Sequence, residues 1–327
     1  MAEAAVVTKS ARRLSAHPFR GYAYIAGSAV FWGISASLGR AAFTGRLFPS
    51  SGIERISPLI LSQARTGFSF VVVAIVLLTL RGPRGLRMPW RDLLKLLALG
   101  LGGIAVSNYF YYLAIERTNV ATAIIVQYTA PVWVLLYMLA RRIEKPTISK
   151  MVSVLLAIAG IALVIGLIGQ GKLHLDSGGV IAALIASFSF AYYNIGGHSI
   201  LARYDRWMVL LYTTLAASLF WICVNPPSRI AAAHYSPTAW LFLFIFAVLS
   251  VLIPFSLYFA GLQHLDPTKA IVASCLEPVF TVLIAAVALH EVVSPLQALG
   301  IVMVLGAIIV VQRSASDTVC SAIEPVD

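Results

Sequence analysis

Arg65 and Glu277 carry charge where charge is expensive. Both fall inside long apolar runs, and a charged group at the centre of a bilayer costs about 2.5–3.5 kcal/mol on insertion scales, so it turns to a cavity or a partner. The planar fork of Arg65 suits two-point binding of a carboxylate. At a depth of about 10 Å it could instead reach up to the interface. Glu277 stands before Pro278, whose missing amide frees a carbonyl one turn back and favours a kink. A carboxyl there can take up and release a proton; its structural alternative is a neutral or paired group. By the same depth count Arg65 and Glu277 lie toward opposite faces, which speaks against a direct ion pair. His198 has the chemistry of a proton relay, or of a simply hydrogen-bonded core histidine.

Polar and aromatic side chains complete the candidate set. Asn108, Tyr111, Tyr112, Gln127 and Tyr128 fall toward one side of the bilayer, and Asn194 and Tyr258 toward the other. Trp32, Tyr192 and Tyr193 come out near mid-depth, away from the interfaces where Trp and Tyr collect. Their rings could stack on an aromatic solute or hold an ammonium group; packing against a neighbouring helix is the alternative.

The elements that must position these residues are apolar helices. Hydrophobic residues make up 60% and charged residues 11% of the 327, against about 45–50% and about 25% in soluble domains. Spans of roughly 20 apolar residues can be placed at 22–43, 58–80, 93–115, 120–139, 152–168, 179–201, 208–224, 239–262, 270–289 and 296–311. The expected fold class is an all-α integral membrane protein of ten transmembrane helices. Its three cysteines lie in or near separate spans and a tail, so no disulfide framework is expected.

The second half rereads the first. Residues 107–165 and 254–312 align without a gap at an offset of 147, pairing Tyr111 with Tyr258, Pro131 with Pro278 and Glu144 with Glu291. Five spans per copy is an odd number, so the copies enter the membrane in opposite senses. Two inverted five-helix repeats follow, at 22–168 and 179–312, with a basic N-terminal tail at 1–21 and a C-terminal tail at 313–327. Inverted repeats of this kind put a solute site at their interface near mid-membrane.

Charge sets the orientation. Of the 24 Lys and Arg residues, 17 fall on the side of the N-terminus, six on the other, and Arg65 lies within a span. Basic loops stay in the cytoplasm, so both termini are expected inside. The net charge of +11 is then a topology signal toward anionic lipid, and no nucleic-acid partner is expected. Residues 1–19 lack an apolar stretch of their own, and no removable leader is expected.

The run Phe31, Trp32, Gly33, then Arg65, the stretch from Pro131 to Glu144, and Leu276-Glu277-Pro278-Val279 followed by Glu291, Gln297, Gly300 and Gly306 resemble the EamA branch of the drug/metabolite transporter superfamily. The resemblance covers nearly all ten spans. It implies export of amino acids, other metabolites or drugs across the bacterial inner membrane, and within the branch the aromatic amino-acid exporters of the YddG type are the preferred relatives. The first copy carries Ala130 where the second has Glu277, so any role of that carboxylate is one-sided.

An amino-acid exporter or facilitator, its solute aromatic or otherwise amphipathic, is therefore the expected function. Protons are a candidate coupling partner, and no cofactor or metal is expected. A multidrug or metabolite exporter is the alternative within transport, and a membrane-embedded enzyme on a lipid-like substrate the alternative outside it. No HExxH, Walker or GxSxG motif is present, which argues against the enzyme. Glu144 and Glu291 are expected to cap helices or pair with basic groups at the surface, and Gly160 with Ala157 and Gly300 with Gly306 to allow close helix contact.

Overall fold

The computed structural model describes residues 17–44, 56–118, 120–166, 176–232, 234–289 and 293–313. Residues 1–16 and 314–327 of the expected tails, Glu291 and Cys320 lie outside them, while α1 already begins at Pro18 within the expected N-terminal tail. Among the described residues the fold is all helical, without strands.

The helices are α1 (Pro18–Thr44), α2 (Pro58–Gly85), α3 (Trp90–Leu99), α4 (Val106–Arg117), α5 (Val120–Gln127), α6 (Ala130–Ala140), α7 (Ile148–Val164) and α8 (Ser177–Leu201). They continue with α9 (Arg206–Val224), α10 (Pro227–Ala232), α11 (Pro237–Ala247), α12 (Ile253–Leu262), α13 (Pro267–Ser274), α14 (Leu276–Leu289) and α15 (Pro295–Gln312). Two π-helical stretches, Gly100–Ala105 and Val248–Leu252, join α3 to α4 and α11 to α12. Among the described residues eight helical runs are long and apolar enough to cross a membrane, and Ile148–Val164 is a shorter apolar helix.

Helix starts follow capping chemistry rather than the first apolar residue. Asp176 accepts from the Gly179 amide at 2.8 Å to start α8, and Ser294 and Gln297 form a reciprocal capping box on α15. Thr147 caps α7 at Ile148, four residues ahead of the start expected from hydropathy. A side-chain oxygen satisfies amides that the first turn leaves open.

Two expected spans are not continuous. The fourth is interrupted at Tyr128 and Thr129 between α5 and α6, and the ninth at Cys275 between α13 and α14. Pro131 and Pro278 are the physical reason: each lacks an amide donor and its ring crowds the carbonyl four residues earlier, here Gln127 and Ser274. Hydropathy averages over such a break, because the flanking residues remain apolar. The two breaks sit at corresponding positions at the 147-residue offset, and the two π stretches nearly so.

Close approach of α7 and α15 rests on glycine. A Cβ at Gly300 would stand 2.6 Å from the Gly160 carbonyl oxygen, and one at Gly160 would stand 2.9 Å from that of Gly300. Small residues of this kind let backbones touch in the membrane. Gly300→Val is expected to force the pair apart and cost about 1–3 kcal/mol, read as a lower unfolding midpoint of the purified protein in detergent. An unchanged midpoint would remove this contact from the account.

At the end of the bundle that carries Arg81, an ion pair fastens α2 to α9. Arg81 Nη1 and Nη2 reach the Asp205 carboxylate at 2.6 and 3.1 Å, and Asp205 also caps α9 by accepting from Trp207 and Met208. Burial pushes the Asp205 carboxyl up, but the Arg81 hydrogen bonds and the two amides outweigh it and hold the group below its ordinary value.

Candidate functional site

Helices α2, α4, α5 and α14 bring together five residues from separate parts of the chain. Arg65 Nη2 donates to Asn108 Oδ1 at 2.7 Å, and Asn108 is itself oriented by donating to the Ile104 carbonyl at 2.9 Å. The Tyr128 hydroxyl, at the α5–α6 break, engages the Glu277 carboxylate, at the α13–α14 break. Tyr111 interacts with Tyr128, and Arg65 lies within electrostatic range of Glu277. Arg65 and Glu277, expected toward opposite faces, lie near enough to influence each other electrostatically, and no direct ion pair joins them among the described residues. The reason is geometric. Arg65 is seven residues into α2 from one side and Glu277 ten residues beyond Pro267 from the other. At about 1.5 Å per residue those depths nearly fill a hydrocarbon core of about 30 Å, and a guanidinium arm spans the remainder.

The exposure pattern marks this as a cleft. Arg65, Asn108, Tyr111, Tyr112, Gln127, Tyr128 and Glu277 are all half-buried, and Tyr112 packs at 5.7 Å from the Tyr111 ring. Open surface beside a guanidinium and a carboxylate is not surface for lipid tails. The Arg65 Nε is buried without a hydrogen-bond partner, so the fork retains unused donor capacity.

Aromatic residues form one flank. Trp32 is half-buried, 5.3 Å from Phe255 in an edge arrangement and 5.4 Å from Tyr258. Next to it, Gly33 lets α1 press on the Phe280–Thr281 backbone, one turn beyond Glu277. Tyr258, Asn194 and Tyr193 are buried and do not front the cleft in this conformation. Asn194 donates to the Tyr258 hydroxyl, and Tyr193 packs on Phe255 and Phe259. Tyr192 points outward, 40% exposed. His198 is half-buried in α8, one residue past Gly197, whose Cβ position faces Phe259 and Leu262.

A charged cluster that the sequence did not disclose closes the bundle elsewhere. α6 ends with Arg142 in the left-handed region at φ 54°, and the Ile143 and Glu144 amides return to the Met138 carbonyl. This turn tucks Glu144 inward. Its Oε2 lies 3.0 Å from Lys150 Nζ and its Oε1 accepts from the Thr268 amide at 3.4 Å. Lys150 is 0% and Glu144 2% exposed, so the expected surface role of Glu144 is corrected to a buried pair. Thr268 belongs to the first turn of α13, where a carboxylate meets the positive end of the helix dipole. Beside it Lys269 pairs with Asp266 at 3.4 Å. Burial raises the Asp266 carboxyl above its ordinary value, offset in part by Lys269. Residues 144 and 150 come from the first half and 266 to 269 from the second, so the cluster ties the halves together. At the matching positions of the 147-residue offset stand Gln297 for Lys150 and Thr122 for Lys269, which leaves the opposite end without that pair of lysines.

Apolar helices broken at corresponding prolines, with polar side chains gathered at the breaks, are the ground plan of a membrane transporter of the small-molecule class. The chain belongs to the EamA-like transporter family, which it matches twice, over residues 19–166 and 177–313. It is 28% identical to the threonine/homoserine exporter RhtA of Escherichia coli (strain K12) over 268 residues, 81% of this chain and 85% of that one. It is 24% identical to the inner membrane transporter YicL of Salmonella typhimurium over 68% of this chain and 73% of that one. A solved structure superposes with a TM-score of 0.68 at 20% identity, over 88% of this chain and 94% of the other, and supports the fold. The protein is thus a multi-pass membrane transporter of the bacterial inner-membrane kind.

Proposed function

We propose that the protein exports an amino acid, aromatic or otherwise amphipathic, by alternating access through ten transmembrane helices in two inverted repeats, both termini cytoplasmic. The observation that carries this reading is the convergence of Arg65 and Glu277 on one cleft. A guanidinium and a carboxylate within electrostatic range of each other match a zwitterion: Arg65 takes the α-carboxylate and Glu277 the ammonium group. The threonine/homoserine exporter among the relatives supports an amino-acid solute, and Trp32, Tyr111 and Tyr128 favour an apolar side chain.

Glu277 also supplies coupling. Ammonium and proton compete for one carboxylate, so release of solute on one side is matched by protonation, and the carrier returns with a proton in its place. The contact of the Lys150-paired Glu144 with the Thr268 amide at the start of α13 acts as the latch on the basic side while the cleft is open to the other, and rocking of one helix group against the other parts it.

Counterflow in proteoliposomes tests the reading. Labelled phenylalanine and threonine should accumulate against trapped unlabelled amino acid, whereas product formed without accumulation would replace the carrier with an enzyme. Glu277→Gln should raise the KM for solute, leave exchange of solute for solute measurable at saturating concentration, and abolish the response to an imposed pH gradient. Trp32→Ala is expected to narrow the preference for aromatic over aliphatic solutes by about 1 kcal/mol, and an unchanged ratio would take that ring out of recognition.

A further inference from the structure

At the end of α2 the chain makes a socket that the transport cleft does not use. Gly82 adopts φ +67° ahead of Pro83, a conformation in which a side chain is strained, and this bends residues 83–87 over the start of α9. The Tyr212 hydroxyl donates to the Leu86 carbonyl at 2.6 Å and fixes the bend. Two adjoining cavities result. One of 490 Å³ is lined by Arg81, Asp205, Arg206, Trp207 and Gln263, and one of 330 Å³ by Arg81, Arg87, Arg203, Asp205 and their neighbours, so the Arg81–Asp205 pair is their common wall.

The charge inside is lopsided. Asp205 is committed to Arg81 and to two α9 amides. Asp92, nearby, receives the Tyr204 hydroxyl at 2.7 Å and lies 3.8 Å from Arg203. Of the four guanidiniums that line the socket, Arg81 is held by Asp205 and Arg203 leans on Asp92, which leaves Arg87 and Arg206 as the excess positive charge. Arg206 lies over the Trp207 ring at 5.4 Å and Arg91 over Trp90 at 5.9 Å, which puts aromatic rings beside cations as at a membrane surface. Directly below, α2 offers an exposed apolar row that includes Val76 and Leu80 and ends at Arg81.

We infer that this socket binds the phosphodiester headgroup of an anionic glycerophospholipid, with its acyl chains lying along the exposed face of α2. The guanidiniums supply bidentate donors for phosphate oxygens, and basic pockets between helices at the cytoplasmic face are suited to such headgroups. The apolar row is what separates a lipid from a free phosphate: a soluble anion has no use for Val76 and Leu80.

The test uses the full chain in detergent. Added phosphatidylglycerol should raise the melting temperature and remain bound in native mass spectra, while phosphatidylcholine, inorganic phosphate and glycerol phosphate should do neither. Arg87→Gln with Arg206→Gln should lower the apparent affinity for phosphatidylglycerol about fivefold per arginine, with the melting temperature in phosphatidylcholine unchanged. Equal protection by inorganic or glycerol phosphate would make this a site for a soluble anion and overturn the proposal. Retention of phosphatidylcholine as firmly as phosphatidylglycerol by the wild-type protein would overturn it too, whatever the variant does.

Discussion

Lys150→Met should destabilise the protein by about 3–5 kcal/mol, because it strands the Glu144 carboxylate in a site from which solvent is excluded. Lys150 is 0% exposed and also donates to the Lys145 carbonyl at 3.3 Å. The pair need not be a net source of stability, since replacing both partners by apolar groups is often neutral. The double variant Lys150→Met with Glu144→Leu should therefore recover most of the loss. A double-mutant cycle on the unfolding midpoint in detergent measures this, and single losses that simply add would show that the two side chains are not coupled. An ionic contact suits the latch proposed above, because charges released into water regain their hydration, whereas exposing an apolar plug is only unfavourable.

Arg65→Gln is expected to reduce transport kcat/KM about a hundredfold. Hydrogen bonds to a charged group contribute about 1.5–3 kcal/mol, and a two-point contact to a carboxylate lies at the upper end. The loss should appear chiefly as a raised KM if the contact is made equally throughout the cycle. Arg65→Lys keeps the charge but loses the fork, and should fall between. Solutes lacking a carboxylate, such as the amino-acid amide, should lose little in either variant. If wild type and Arg65→Gln handle acid and amide with the same ratio, the carboxylate partner is another residue.

The helical frame was legible because its signals are one-dimensional. Apolar runs identified the helical regions, and the 147-residue register identified which stretches share a shape. Glycines 160 and 300 were legible as contact positions, though their meeting each other, α7 against α15, was not. The cleft was half legible. Arg65, Asn108, Tyr111, Tyr128 and Glu277 stood out as polar groups in apolar runs, but a depth ruler measured along single helices missed their convergence. Glu144 and Lys150 were misplaced for a different reason: they lie at a chain reversal, and only the left-handed turn at Arg142 carries the carboxylate back beneath α13. Nothing in composition distinguishes that residue from an ordinary solvated loop acid.

The two π-helical stretches act as phase shifters. Each holds a residue more per turn than the helix around it, so the segment beyond is rotated by about 100° relative to an uninterrupted α-helix. In Val248–Leu252 that rotation aims Tyr258 at Asn194 and Trp32. Excising one residue from it would wind the run into plain α-helix and swing Tyr258 out of the aromatic flank, without altering Arg65, Asn108, Tyr128 or Glu277.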